Sequence, residues 1–211
     1  EQGIVFPAKQ ICELAKERGI ISVVDGAQTP GHIRIDVEKL GCDAYYGSPH
    51  KWLMAPAGNG FLYVKESLIN KVWTTLASSQ WDNHEDNGYR LGQRGTGNPS
   101  LLVGFEAALD LHFEIGPQRV YDRIRDLGGR LRAGLAIMGE VEIVTPLDSM
   151  CAGLTTFKVH GVEDKEVQNQ LWKRGKIQPR ALSEGRGIRF STHIYNSEDE
   201  VDRTLAILND L

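Results

Sequence analysis

Two short β-rich runs, residues 21–24 (Ile-Ser-Val-Val) and 43–47 (Asp-Ala-Tyr-Tyr-Gly), each end in a turn that carries ionisable side chains. The first stops at Asp25-Gly26 and the second at Ser48-Pro49-His50-Lys51. The first, a short apolar run without alternation, predicts a strand buried on both faces, and the second predicts a further strand. A helix precedes the first run over residues 7–18. It opens on Pro7, places Ile11, Leu14 and Ala15 on one face, and is stopped by Gly19. A third strand, residues 60–64, follows a turn rich in Pro and Gly. Helix followed by strands with short links is the pattern of an α/β sheet with covered faces.

The chain changes character at Asn98. Asn98 and Pro99 make a good helix start, and Leu102, Phe105, Leu109 and Phe113 follow at helical spacing. Residues 117–138 predict a second long helix, with Val120, Ile124, Leu127, Leu131, Leu135 and Met138 three or four apart. That stripe is core and is expected to cross from one domain to the next. Strands are expected over residues 141–145, 154–160, 177–182 and 187–194, with a helix near 164–174. A last helix opens at Ser197, whose pairing with Glu200 is a capping box. The boundary falls near residue 116, giving domains 1–116 and 117–211.

Twenty-three glycines in 211 residues exceed the roughly 7% typical of proteins, and suit tight turns and close backbone approach to a ligand. A net charge of −4 gives no reason to expect nucleic acid or an anionic membrane as partner. No apolar run approaches the roughly 18 residues of a membrane span. Cys12, Cys42 and Cys151 are scattered, and the first two read as buried small hydrophobes. Without a disulfide framework a reducing compartment is favoured, so the protein is expected to be cytoplasmic.

Ligands in open α/β sheets bind beyond the carboxyl ends of strands, which is where Asp25 and Lys51 fall. Asp25 can meet a flat ring edge-on, or can simply turn the chain. Lys51, between His50 and Trp52, can be a desolvated amine able to attack a carbonyl, or a lysine snorkelling at the surface. Ser48 and His50 suit a phosphate oxygen or ordinary turn chemistry. Arg94-Gly95-Thr96-Gly97-Asn98 sets a threonine just before a helix N-terminus, a natural anion site or a plain cap. His84, in the segment 81–86, and His193 read as a solvated loop residue and a strand-end residue. Taking Asp25, His32 and His50 as metal ligands matches no recognised spacing.

In combination these residues resemble the class V aminotransferase family of fold-type I enzymes that depend on pyridoxal 5′-phosphate (PLP), a group that includes cysteine desulfurases and isopenicillin N epimerase-like proteins. The resemblance rests on Val23-Val24-Asp25-Gly26-Ala27-Gln28 followed by Ser48-x-His50-Lys51. Thr96 before a helix, Arg189-x-Ser191, and Tyr195-Asn196-Ser197-Glu198 add to it, and it extends over essentially the whole chain.

The resemblance implies an α/β fold: the second half of an aspartate aminotransferase-like large domain with a mostly parallel sheet, then a small α+β C-terminal domain. It implies that Lys51 forms the internal aldimine and later moves the substrate's α-proton. Asp25 would pair with the pyridine nitrogen, Gln28 with the phenolic oxygen, and Ser48 and His50 with the phosphate. Thr96 would reach the cofactor phosphate of a neighbouring subunit, which implies a homodimer. Arg189 would clamp the α-carboxylate of an amino-acid substrate. Aminotransfer, epimerisation and lyase chemistry all fit. Cysteine desulfuration is disfavoured, because residues 178–186 lack the cysteine which that reaction needs before the Arg189 strand. The family's remaining cofactor contacts lie upstream of the Asp25 strand. The chain is therefore expected to be the C-terminal portion of a longer protein, exposing an apolar face and strand edges and binding PLP weakly alone. A second reading is a non-catalytic remnant that retains the fold without a complete site.

Overall fold

The computed structural model describes residues 2–85, 88–93 and 95–211. Asp86 and Arg94, which belong to segments singled out above, lie outside the described residues. The chain divides into two compact units, one spanning Pro7–Gly116 and the other made of residues 2–6 with residues 117–211.

In the first unit, helix α1 (Ala8–Glu17) precedes strand β1 (Val23–Asp25). The one-turn helix α2 (Val37–Leu40) is capped by Asp36, whose Oδ1 accepts the Lys39 N–H at 3.1 Å. It ends at Gly41, where φ of +72° needs glycine. Strands β2 (Ala44–Gly47) and β3 (Phe61–Val64) complete a three-stranded sheet of order β1-β2-β3. The sheet is mixed rather than mostly parallel: β1 and β2 run parallel, whereas β3 is antiparallel to β2. The link over residues 48–60 carries no helix, so it returns the chain antiparallel instead of crossing over. Cys12 on α1 and Cys42 meet Tyr45 of β2, each 2% exposed, with Val24, Leu40 and Tyr63 packed around them. One-turn helices α3 (Glu66–Ile69) and α4 (Tyr89–Gly92) lead to α5 (Pro99–Ile115), with Asn98 as its cap.

The expected enclosure of the first strand is not seen. β1 is the edge strand of its sheet, and Ile21 and Val23 are 62% and 60% exposed. Exposed apolar residues also lie on α1 (Ile11, Leu14) and α5 (Leu102, Val103, Phe113).

In the second unit, α6 (Pro117–Ala136) places Val120, Ile124, Leu127, Leu131 and Leu135 in the interior. The helix lies wholly within this unit and does not cross from one domain to the next, because the chain turns at Gly116 (φ +95°) just before it. Strands β4 (Val141–Ile143), β5 (Leu154–Val159), β6 (Arg180–Ala181) and β7 (Ile188–Ser191) form an antiparallel sheet of order β4-β5-β7-β6. The strand expected over residues 177–182 shrinks to the two residues of β6. Helices α7 (Asp164–Gly175) and α8 (Glu198–Asn209) pack with α6 around Phe157, Val167, Leu171, Ile188 and Leu208. The capping box between Ser197 and Glu200 is formed.

Thr155 and Thr156 of β5 are fully buried, and their polar atoms are satisfied. Thr155 Oγ1 accepts from Arg132 Nη1 at 3.1 Å, and the Thr156 N–H donates to Thr145 Oγ1 at 2.8 Å. Residues 2–6, placed with the first domain by sequence, instead bond to this unit. The Val5 N–H donates to the Met150 carbonyl at 2.8 Å, and Thr145 Oγ1 donates to the Gln2 carbonyl at 2.5 Å.

Candidate active site

The parallel pairing of β1 with β2 sets their carboxyl ends side by side, with Asp25 opposite Tyr46. Asp25 is exposed at the strand end, and its Oδ1 accepts the Ala27 N–H at 2.9 Å, which folds the next residues into a turn. Loss of solvent, then the Asp25 carboxylate beside it, push the Tyr46 hydroxyl up from its ordinary pKa. The turn continues through hydrogen bonds from Thr29 and His32 N–H groups to the carbonyls of Gly26 and Thr29. Gly26 has no space for a side chain, since a Cβ there would lie 2.0 Å from the Tyr45 ring.

The second turn follows β2. Ser48 is half-buried, His50 exposed and Lys51 half-buried, while Pro49, Trp52 and Leu53 between and beyond them are buried. The loop closes on itself through the Met54 N–H to the Lys51 carbonyl (3.2 Å) and the Ala55 N–H to the Pro49 carbonyl (3.1 Å).

One cluster joins the two turns. Trp52 Nε1 donates to Gln28 Oε1 at 3.0 Å, the Trp52 ring stacks on His32 at 3.7 Å, and His32 Nδ1 bonds the Gln28 carbonyl at 2.9 Å. Gly31, at φ +79°, lies so close to the Trp52 backbone that a Cβ would come within 2.6 Å of its carbonyl oxygen. An indole N–H only donates, so the Gln28 amide must turn its oxygen to Trp52, leaving two N–H donors on Nε2. Asp25, Gln28, Ser48, His50 and Lys51 are thus held on two adjoining, mutually braced turns. Sequence reasoning singled out these five; it weighed His32 only as a metal ligand and Trp52 only as a neighbour of Lys51, and missed the brace they form. Their role depends on a contact across 24 residues, for which spacing offers no signal.

The structure does not bring Thr96 into this cluster: it is exposed, in the segment before the Asn98 cap of α5. Arg189 lies in the other unit, half-buried on β7 beside a cavity of about 400 Å³. His193, just past β7, is buried and stacked on Tyr195 at 4.1 Å. His84 is exposed and bonds Asn70 Oδ1 through Nδ1 at 3.1 Å.

The donor set on the two turns suits PLP: a carboxylate for a protonated ring nitrogen, amide donors for a phenolic oxygen, hydroxyl and imidazole for a phosphate, and a primary amine for an aldehyde. Comparison with known proteins agrees. The model of the family described as aminotransferase class-V matches residues 1–204. The chain belongs to that family. Enzymes of the family depend on PLP. The isopenicillin N epimerase of Amycolatopsis lactamdurans is 34% identical over 226 residues, covering 99% of this chain and 57% of the epimerase. The apo cysteine desulfurase of Thermococcus onnurineus NA1 is 27% identical with a TM-score of 0.88, over 99% of this chain and 56% of that one. A mutant of C-DES with glycine covalently linked to its PLP cofactor is 25% identical with a TM-score of 0.90, over 100% of this chain and 58% of that one. The class V chain thus spans little more than half the length of these relatives. Among the described residues, no helix is long and apolar enough to cross a membrane.

Proposed function

We propose that the protein is a PLP-dependent enzyme acting on an α-amino acid, with Lys51 as the residue that attaches the cofactor covalently. The observation that carries this is the bracing of the two strand-end turns by Trp52 and Gln28. It sets the amine, the carboxylate, the amide and the phosphate-binding candidates on one pair of adjacent strand ends. When bound, PLP supplies an electron sink for the bonds at the substrate's Cα.

The side chains divide the remaining work. Asp25 offers its carboxylate to the ring nitrogen and keeps that nitrogen protonated. Gln28 donates from Nε2 to the phenolic oxygen. Ser48 and His50 hold the phosphate from one side, and Thr96 reaches the phosphate of a neighbouring subunit in a homodimer. Lys51 Nζ would take and return the proton at the substrate's Cα. Arg189 holds the α-carboxylate. Pro7–Gly116 is part of the large cofactor-binding domain and residues 117–211 the small domain of a cytoplasmic enzyme.

Within the family we favour aminotransfer, epimerisation or a lyase step over cysteine desulfuration. The segment before β7 has no cysteine, and Cys151 lies before β5, its thiol donating to the Asp148 carbonyl at 3.0 Å. The test is borohydride reduction of the protein with PLP, followed by peptide mapping. The pyridoxyl label is expected on Lys51 and is lost in Lys51→Ala. Label on another lysine refutes the assignment, and no label at all favours a retained fold without a complete site.

A further inference from the structure

Strands β1 and β2 present successive pairs of side chains on opposite faces of their sheet. Val24 lies opposite Tyr45 and packs with it against Cys12 and Cys42. The next pair, Asp25 opposite Tyr46, falls on the other face by the alternation of a pleated strand, with Leu62 of β3 in line beside Tyr46. Tyr46 is 43% exposed there. Both phenols feel the Asp25 charge, but their protons are differently committed. Thr29 Oγ1 carries one proton and donates it to the Gly26 carbonyl at 2.8 Å, so in its hydrogen bond with Tyr45 the phenol is the donor. The Tyr45 proton is thereby engaged by Thr29. The Tyr46 hydroxyl lies instead where the Asp25 carboxylate acts on its proton through both charge and a hydrogen bond. Asp25 already accepts the Ala27 N–H through Oδ1 at 2.9 Å. An ionised carboxylate has about four acceptor positions, so a second donor from Tyr46 leaves room for a third from a ligand.

We propose that Tyr46 is a positioning residue for Asp25, its hydroxyl holding the carboxylate in place for the ring nitrogen of PLP. The inference rests on the assignment of Asp25 to that nitrogen and adds Tyr46 as a residue that acts through it. Two donors from different segments, the Ala27 N–H after β1 and the Tyr46 hydroxyl on β2, restrict the short Asp25 side chain. The carboxylate is then ordered before the ring arrives, and less freedom is lost on binding. Because Asp25 meets the cofactor at the ring nitrogen alone, the contribution of Tyr46 is felt only by a ring that carries that nitrogen.

The test compares, by equilibrium dialysis, binding of PLP with binding of an analogue that has carbon in place of the ring nitrogen. The unsubstituted chain is expected to prefer PLP, and Asp25→Asn to abolish the preference. Tyr46→Phe keeps the ring and removes the donor. It is expected to reduce the preference by about fivefold, the effect of one hydrogen bond to a charged group at an exposed site, with binding of the analogue unchanged. In the Asp25→Asn background Tyr46→Phe is expected to change neither affinity. A second readout needs no cofactor: the Tyr46 phenol, followed by carbon NMR of its Cζ, is expected to titrate lower in Asp25→Asn, because the anion that holds its proton is gone. A preference untouched by Tyr46→Phe, an equal loss for both compounds, an effect that persists without Asp25, or a Tyr46 titration indifferent to Asp25→Asn overturns this inference alone. Equal binding of the two compounds by the unsubstituted chain, a preference that survives Asp25→Asn, or no binding of either overturns the Asp25 assignment and this inference with it.

Discussion

The indole N–H of Trp52 and the side-chain oxygen of Gln28, 24 residues apart, meet at 3.0 Å and lock the turn after β1 to the turn after β2. Because the indole can only donate, this bond also fixes which end of the Gln28 amide faces outward. Gln28→Glu keeps an acceptor for Trp52 but removes both outward donors. We expect its folding stability in urea to change by less than about 1 kcal/mol, since the buried donor stays paired. PLP uptake measured by equilibrium dialysis is expected to weaken by about tenfold or more, the loss of one charge-assisted hydrogen bond.

Trp52→Phe makes the opposite change. It retains a ring to stack on His32 but removes the donor and leaves space where a residue 3% exposed had been. A loss of about 1–3 kcal/mol in urea denaturation is expected, from the missing bond and the cavity together. A variant as stable as the parent would show that the brace between the turns is dispensable.

Gly26→Ala tests the close approach directly. The added Cβ would lie 2.0 Å from Tyr45 Cζ and from its hydroxyl oxygen. Tyr45 is 2% exposed and its hydroxyl bonds that of Thr29, so it has little freedom to move. Overpacking here is expected to cost about 1–3 kcal/mol, read as a lower melting temperature.

The interior of the second unit should be far less tolerant than the exposed face of α5. Leu135 is fully buried among α6, α7 and α8, and Leu135→Ala is expected to lose about 2–5 kcal/mol. Leu102, 64% exposed, is expected to change stability by no more than about 0.5 kcal/mol on the same substitution. Chemical denaturation of the two variants side by side checks the contrast.

Arg123 on α6 reaches the start of α8, donating to both carboxylate oxygens of Glu198 and, at 2.9 Å, to the Asn196 carbonyl. The bonds from Arg123 to the carboxylate, and then a backbone N–H at Glu198 itself, hold the Glu198 carboxyl at about 2, below its ordinary 4.5. A carboxyl depressed in the folded state favours folding fully above the ordinary value, and that contribution disappears as pH falls through the folded one. The window therefore runs from about pH 4.5 down to about 2. In Arg123→Ala the Glu198 carboxyl is expected to titrate higher, back toward its ordinary value, with the backbone N–H and Arg130 still holding it below, as followed by carboxyl carbon NMR. Added salt should raise the unsubstituted value, because the pair is exposed and screened. Titration unchanged in the variant would assign the shift to another cause.

Features decided within one or two turns of chain were readable from residue order. The Ser197–Glu200 box, the Asn98-Pro99 helix start, the α6 stripe and the strand ends at Asp25 and before Lys51 each depend on neighbours a few positions away. Local sterics and hydrogen bonding fix them regardless of the rest of the fold. The same motifs carried the family resemblance, so the cofactor and most of its candidate contacts were legible too. Only tertiary structure decided the rest. Which partner β3 meets, which unit residues 2–6 join, the bond from Trp52 to Gln28 and the register that sets Asp25 against Tyr46 all depend on where distant segments return. A strand's alternation shows which face a residue takes, but not which residue stands opposite it, because register is set by packing and turns that span the chain.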